Sequence, residues 1–295
     1  MDYYVNPQIP EDMDDSQSGH LRSFVLTFLK ALAFLVVFVA AMDIAARLLA
    51  PFVPFKWEKA LAPDALVAGA RSPSGDIEAE LNQLAQRLAA RMDLPPGLSI
   101  AVHYDDSDTV NAMATFGGHI IVFKGLLSRM ESEDALAAVL AHEIAHVKHR
   151  DVIKGLWRAV SLWLLLAAVD SSSSLGGLSD AAAGTALMSY SRGQERQADE
   201  AAAEALGRMY GHTRGFEQSF LILMDAAKGA PEIPEILSSH PDTAKRIADA
   251  KKLSVKLGYP VQGETTPLPP ALVINKPAGF DGLNRLKETA GPARP

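Results

Sequence analysis

The sequence predicts a mostly helical α+β domain with a small β-sheet, preceded by one N-terminal transmembrane helix. Three observations carry that reading. Apolar residues recur at helical spacing over long stretches, as at Ile77, Leu81, Leu84, Leu88 and Met92. Between residues 98 and 123 the alternation shortens to every second residue around a Gly-Gly pair, as short strands require. From Phe24 to Met42 the chain is apolar except for Thr27 and Lys30, long enough to cross a ~30 Å hydrocarbon layer as a helix.

In chain order, residues 1–22 carry Asp2, Glu11, Asp12, Asp14 and Asp15 with two prolines, and read as a disordered acidic tail. Residues 23–47 form the membrane anchor, with Lys30 near one end, where its stem can carry the ammonium to the interface. A cleaved leader would be shorter and basic, so the anchor is expected to stay. Arg22 and Lys30 on one side nearly balance Arg47, Lys56 and Lys59 on the other, which leaves the orientation open.

The main domain is expected over residues 48–258. It opens with a linker from Pro51 to Pro63 that holds the interfacial aromatics Phe52, Phe55 and Trp57. A helix follows from about Asp76 to Met92, then strands at Leu98–Tyr104, Val110–Thr115 and His119–Phe123, the last two joined through Phe116-Gly117-Gly118 as a hairpin. Ser132 is the expected N-cap of a helix reaching His149, with Glu133 and Asp134 favourable in its first turn. Leu156 to Val169 is too short for a span and contains Arg158, so it reads as a core or membrane-surface helix. A serine-glycine loop covers 171–177, and helices are expected near 180–190, 192–209, 213–228 and 241–256. Residues 259–295 form a proline-rich, extended tail.

Composition narrows the function. A net charge of −7 and a pI near 5.6 argue against a nucleic-acid partner. There is no cysteine, so disulfides, thiolate catalysis and thiolate metal ligands are excluded, and histidine and carboxylate are left to bind metal.

His142-Glu143-Ile144-Ala145-His146 uses those residue types at a telling spacing. Histidines four apart on a helix share one face, so both can bind one Zn²⁺ while Glu143 sits beside its water. Zinc lowers the pKa of that water from about 16 to about 7, and the glutamate takes the proton and later hands it to the leaving amine. The surrounding residues are apolar nearly all round, so the helix is buried, and buried histidines and glutamate need the partner that a metal supplies.

A third ligand must come from further along, because His149 stands where the longer HExxHxxGxxH form has its glycine. Ala198, Ala201, Ala202, Ala205, Leu206 and Met209 make a stripe that runs back to Glu195, with Asp199 at its margin. Glu195 can be that ligand and Asp199 can hydrogen-bond a ligand histidine. The weaker alternative is that both are surface charges paired with Arg192 and Arg196.

At this point the chain resembles the HtpX-like and CAAX-prenyl-protease-like zinc metalloendopeptidases of peptidase family M48. The likeness runs from about Leu98 to Ala248 in four ordered blocks: Asn111-Ala112-Met113-Ala114 with Gly117-Gly118-His119-Ile120; His142 to His146; Ser191-Arg192 with Glu195 and Ala198-Asp199; and His240-Pro241 with Arg246-Ile247. It implies a zincin-like (gluzincin) fold, one Zn²⁺ per chain, Glu195 as third ligand, Asp199 as its supporting carboxylate, and His240 and Arg246 as oxyanion partners. It also implies, for some relatives, a histidine at the His240 position that caps the metal. An exposed strand at 110–115 would take a protein or peptide substrate by edge addition, with Asn111 and Ala112 as substrate contacts.

The many-pass relatives carry membrane hairpins between the two zinc motifs, whereas this chain has only Leu156–Val169 and a loop. The resemblance therefore points to an essentially soluble catalytic domain, facing the envelope from a bacterial inner membrane. The alternative expectation is a chaperone-like client-binding protein with a latent or structural zinc site.

Overall fold

The computed structural model of the protein describes residues 17–61, 75–169, 189–227, 236, 239–240 and 243–276. The acidic stretch 1–16, the serine-glycine loop and all but the last two residues of the helix expected near 180–190 lie outside the described residues, and those two, 189–190, are not helical.

Helix α1 (Gln17–Leu49) is longer than the expected anchor and takes in the end of the stretch expected as an acidic tail. Within it, Leu21–Ala45 is long and apolar enough to cross a membrane, and none of its most apolar window is buried by the rest of the chain. After a tight turn at Ala50–Phe52 comes α2 (Phe55–Leu61). The linker expected over 51–63 is thus a short helix, and it is docked. Phe55 and Glu58 are buried, because Arg150 reaches out of the domain to both, whereas Trp57 stays exposed.

Helix α3 (Gly75–Ala89) buries Leu81, Leu84, Ala85 and Leu88, the stripe its spacing predicts. Strands β1 (Ala101–Asp105), β2 (Ala112–Ala114) and β3 (His119–Phe123) form one sheet in the order β1-β3-β2. β1 runs parallel to β3, with Val102 opposite Ile120, and β2 is antiparallel to β3, with Met113 opposite Ile121. Gly118, at φ 86°, lies against the Ser99 carbonyl, where a Cβ would come within 2.1 Å, so the turn into β3 accepts only glycine.

The two edges of this sheet are treated differently. Side chains of α3 close the β1 edge: Asn82 accepts from Val102 N–H at 2.9 Å and donates to its carbonyl at 2.7 Å, and Glu78 accepts from Tyr104 N–H at 3.0 Å. That arrangement satisfies the edge without another strand. At the β2 edge the register turns Asn111, Met113 and Thr115 toward β3, so the N–H and C=O of Ala112 and Ala114 point away from the sheet. This second edge faces the central helix.

A short turn of helix, α4 (Lys124–Leu127), leads to α5 (Glu133–Lys148), the centre of the domain. Ser132 caps it by accepting from Ala135 N–H at 3.2 Å. Every residue from Glu133 to Val147 is buried, between α3 and β2 on one side and two later helices, α7 (Arg192–Tyr210) and α8 (Arg214–Ala227), on the other. Gly215 allows the α8 contact, since a Cβ there would meet the Asp134 carbonyl at 2.2 Å. Between α5 and α7 lies α6 (Asp151–Val169), which starts five residues before the expected Leu156 and packs along α1. Helix α9 (Thr243–Leu257) closes against α7 and α8.

Residues 259–276 are extended, as their prolines suggest, apart from a single turn at Pro270–Leu272. They do not hang free, however, as a tail would. Leu272 is fully buried, Leu268 and Ile274 pack on the core, and Thr266 exchanges hydrogen bonds with Glu133 N–H and the Asp134 carboxylate at the start of α5. The apolar residues set among the prolines give this segment a reason to lie down.

Candidate metal centre

His142 and His146 project from the same face of α5, with their Nε2 atoms 3.0 Å apart. Helix α7 delivers Glu195 from its first turn. Its start is fixed by a capping box in which Ser191 Oγ accepts from Gln194 N–H and the Gln194 side chain returns to Ser191 N–H. Glu195 Oε1 lies 3.4 Å from His146 Nε2 and 2.9 Å from His240 Nδ1, which in turn is 3.2 Å from His142 Nε2. Among the described residues, His142, His146, Glu195 and His240 bring four donor atoms within 4.8 Å of one another, all buried.

The donor set fits a small divalent metal on three counts. Ligands at 2.0–2.2 Å in a tetrahedron stand about 3.3–3.5 Å apart, close to the separations here. The outer nitrogens are already committed: His146 Nδ1 donates to Asp151 Oδ2 at 3.0 Å and His142 Nδ1 to Asp199 Oδ1 at 3.1 Å. Those bonds set the tautomers so that two Nε2 lone pairs face each other, an arrangement that asks for a cation between them. Charge gives the third count. Glu143, Glu195, Asp199 and Asp151 face Arg246 and Lys154, leaving two negative charges in the cluster.

The pKa directions tell the same story. Burial would raise the Glu195 carboxyl, but its bonds to His146 and His240 hold it far below the ordinary range. Burial pushes the His142 imidazole down against the opposing pull of Asp199. For His146 burial acts the same way but loses to Asp151 and Glu195, which hold the imidazole up at about 9. Without a metal, the carboxylates draw a proton to the place a metal would take.

Glu143 is buried and spans the gap to the sheet. Its Oε2 accepts from Ala114 N–H at 2.9 Å, and its Oε1 lies 3.6 Å from His240 Nε2 with no hydrogen-bond partner among the described residues. The outward-facing edge of β2 is therefore tied directly to this carboxylate. Arg246 brings Nη2 to 3.4 Å from both ring nitrogens of His142, but its shorter contacts are all to carboxylates. It spends Nε and Nη2 on Asp199 at 2.9 and 2.6 Å and Nη1 on Glu195 at 2.5 Å, with its plane over the Phe220 ring. In this arrangement it is a clamp on two carboxylates. Asn111 immediately precedes β2, its carbonyl accepting from Phe123 N–H; among the described residues its buried Oδ1 has no partner and no hydrogen bond carries it to the histidines. Ala112 lies on the outward edge but is fully buried, and Asn111, Ala114 and Thr115 are buried with it, so the strand expected to be exposed at 110–115 is covered by α5 here.

Two supporting residues escape sequence reasoning. Asp151, fully buried, holds His146 and also accepts from Gln194 Nε2 at 2.9 Å. The Tyr190 ring stacks on His146 at 3.8 Å between centroids. Asp151 is the third residue past the end of α5 and the first of α6, beyond the turn where helical spacing from His146 no longer applies. Beside His142 and Glu143 an apolar pocket of about 30 Å³ opens between Ala138, Val139, Phe216, Phe220, Leu223 and Ile236.

Comparison with known proteins decides the lineage. The sequence model of Peptidase family M48 matches residues 76–254, more than half of the chain. The chain belongs to peptidase family M48. Among curated relatives, the "Beta-barrel assembly-enhancing protease" of Yersinia pestis is 28% identical over 185 residues, covering 58% of this chain and 37% of that protein. A "Protease HtpX homolog" of Thermococcus sibiricus is 27% identical over 235 residues, covering 64% of this chain and 78% of that protein. The "Mitochondrial metalloendopeptidase OMA1" of Schizosaccharomyces pombe is 35% identical over 154 residues, covering 50% and 44%. The chain thus spans little more than a third of the length of the Yersinia relative. The family assignment makes this a metallopeptidase-type centre, in keeping with the donor set.

Proposed function

We propose that the protein is a membrane-anchored zinc metalloendopeptidase that hydrolyses internal peptide bonds of unfolded or membrane-associated proteins. The observation that carries the reading is the convergence of His142, His146 and Glu195 with a buried Glu143 that has one carboxylate oxygen free of hydrogen bonds. A bound Zn²⁺ supplies Lewis acidity, which acidifies water and polarises the scissile carbonyl. His142, His146 and Glu195 hold it, and Asp199 and Asp151 hold the two histidines.

Glu143 is the general base and then the acid: Oε1 takes a proton from the attacking water and passes it to the leaving nitrogen. The bond from Ala114 N–H to Oε2 keeps the other oxygen aimed at that task. Main-chain pairing of an extended substrate with the outward edge of β2 at Ala112 would not demand a sequence, and it requires this edge, buried here, to open. Asn111, just before that strand, steadies the bound chain. The small apolar pocket beside Glu143 takes a small apolar side chain next to the scissile bond. His240 Nε2 faces the reaction side and donates to the developing oxyanion, while Arg246 keeps Glu195 and Asp199 in place. The anchor is α1, in a bacterial inner membrane with the domain on the envelope side, as the resemblance implies; protease accessibility in intact and broken cells tests that side.

A second reading is favoured by His240. With its Nδ1 among the donors the set is closed, whereas catalytic zinc sites keep a position open. In that reading the centre is latent or structural and the protein holds client chains. The test is zinc content and cleavage of unfolded casein by the full-length protein in detergent, with and without chelator. Stoichiometric zinc with chelator-sensitive cleavage supports the peptidase. Stoichiometric zinc with no cleavage, in both the wild type and His240→Ala, supports the binder.

A further inference from the structure

The contacts that steady His146 lead outward, residue by residue, to the chain just beyond the membrane helix. Asp151, which accepts from His146 Nδ1, directly follows Arg150 in the turn between α5 and α6. Arg150 sits at φ 63°, in the left-handed region that side chains other than glycine rarely adopt, so something must hold it there. Three partners do. Its guanidinium lies 3.4 Å from the centroid of the Phe55 ring, pairs with the Glu58 carboxylate and donates to the Val53 carbonyl. All three belong to residues 53–58, the start of α2. Arg150 and Glu58 are both buried, so the charges are matched away from water and neither is tolerable alone.

Helix α2 reaches the other wall of the cleft as well. It packs against the turn at Phe116–Gly118 that joins β2 to β3, and hence adjoins the strand whose Ala114 N–H holds Glu143. One short helix, joined to the membrane helix by a single tight turn, therefore braces both the ligand helix and the strand edge.

We propose that α2 is a working part of the metal centre, with Arg150 as the positioning residue that transmits its hold through Asp151 to His146. The inference rests on the metallopeptidase reading. It means that the membrane helix and the metal site are mechanically joined, through Val53, Phe55 and Glu58, and are not a domain on a slack tether.

The experiment uses the full-length protein in detergent. Zinc affinity is read by competition with a chromogenic chelator, and ligand geometry by the visible absorption of the cobalt(II)-substituted protein. The double variant Glu58→Gln/Arg150→Met removes both buried charges at once, so no lone charge is left to unfold the chain. The expected result is a folded protein whose zinc dissociation constant rises about 10-fold or more, with an altered cobalt spectrum. Arg150→Lys, which keeps a cation near Glu58 but loses the flat contact with Phe55, is expected to recover part of the affinity. Phe55→Leu is the milder probe and decides the matter if the double variant does not fold. Wild-type zinc affinity and cobalt spectrum in the folded double variant, or in Phe55→Leu should that stand alone, overturn the inference. A wild type that binds no zinc overturns the functional reading itself, and the two failures are told apart by that one measurement.

Discussion

His142 and His146 stand one turn apart on the same helix, yet they are steadied from different parts of the molecule. His142 is held by Asp199 on α7, which is itself gripped by Arg246 from α9, 47 residues further along the chain. His146 is held by Asp151, five residues away, with Gln194 and Lys154 on the same carboxylate and the Tyr190 ring across its face. The first support is a charge network assembled by the tertiary fold. The second rests on a carboxylate close in sequence and is drier, with Asp151 fully buried where Asp199 is 7% exposed. The pKa directions are opposite as well: burial, with the Arg246 charge, prevails at His142, and the carboxylates prevail at His146 in spite of its burial.

Glu143 belongs to neither support, so its removal gives the largest effect and the cleanest control. Glu143→Gln is expected to lower casein cleavage by about 10²–10⁴-fold with zinc content unchanged. Loss of zinc in that variant would mean that the centre cannot be divided as described. Next come Asp151→Asn and Asp199→Asn, each expected to weaken zinc binding by about 10–100-fold. Asp151→Asn should be the more damaging, because its site is fully buried; chelator titrations of the two variants giving equal or reversed losses would remove the asymmetry. Arg246→Lys is expected to cost about 10-fold in zinc affinity, since an ammonium cannot serve Asp199 and Glu195 together. That loss should not add to the effect of Asp199→Asn, and full additivity in the double variant would refute the clamp. The smallest effect belongs to Tyr190→Leu, where loss of a stacked ring is worth about 0.5–1.5 kcal/mol. Zinc affinity should fall by less than about 10-fold, and no change at all would leave the Tyr190 ring outside the support of His146.

The sequence displayed one support and concealed the other for a physical reason. Asp199 lies on a helix whose apolar stripe could be followed backward to Glu195, so periodicity pointed to both. Asp151 follows a turn, where no period runs, and only the fold turns it back onto His146. Much of the core was equally legible: Ser132 caps α5 where expected, and the stripe of α3 is buried as read. The docking of α2 was not, because it depends on one arginine in an uncommon backbone conformation. The parallel pairing of β1 with β3 is a matter of topology, and alternation reports only which residues share a face. Residues 259–276 are extended as read, but their docking was not legible, because prolines dominate the composition while Leu268, Leu272 and Ile274, which decide the packing, are few.

That last segment also sets an order of events. The N–H of Glu133, at the head of the ligand helix, finds its acceptor in Thr266, more than a hundred residues downstream. On the ribosome, the segment that closes the head of this helix emerges after every helix and strand described here. A nascent chain therefore carries both histidines and Glu195 outside the tunnel well before the helix that bears the histidines is fully enclosed. Enclosure of the ligand helix therefore waits on the stretch around Thr266, long after the apolar helix α1 has been made.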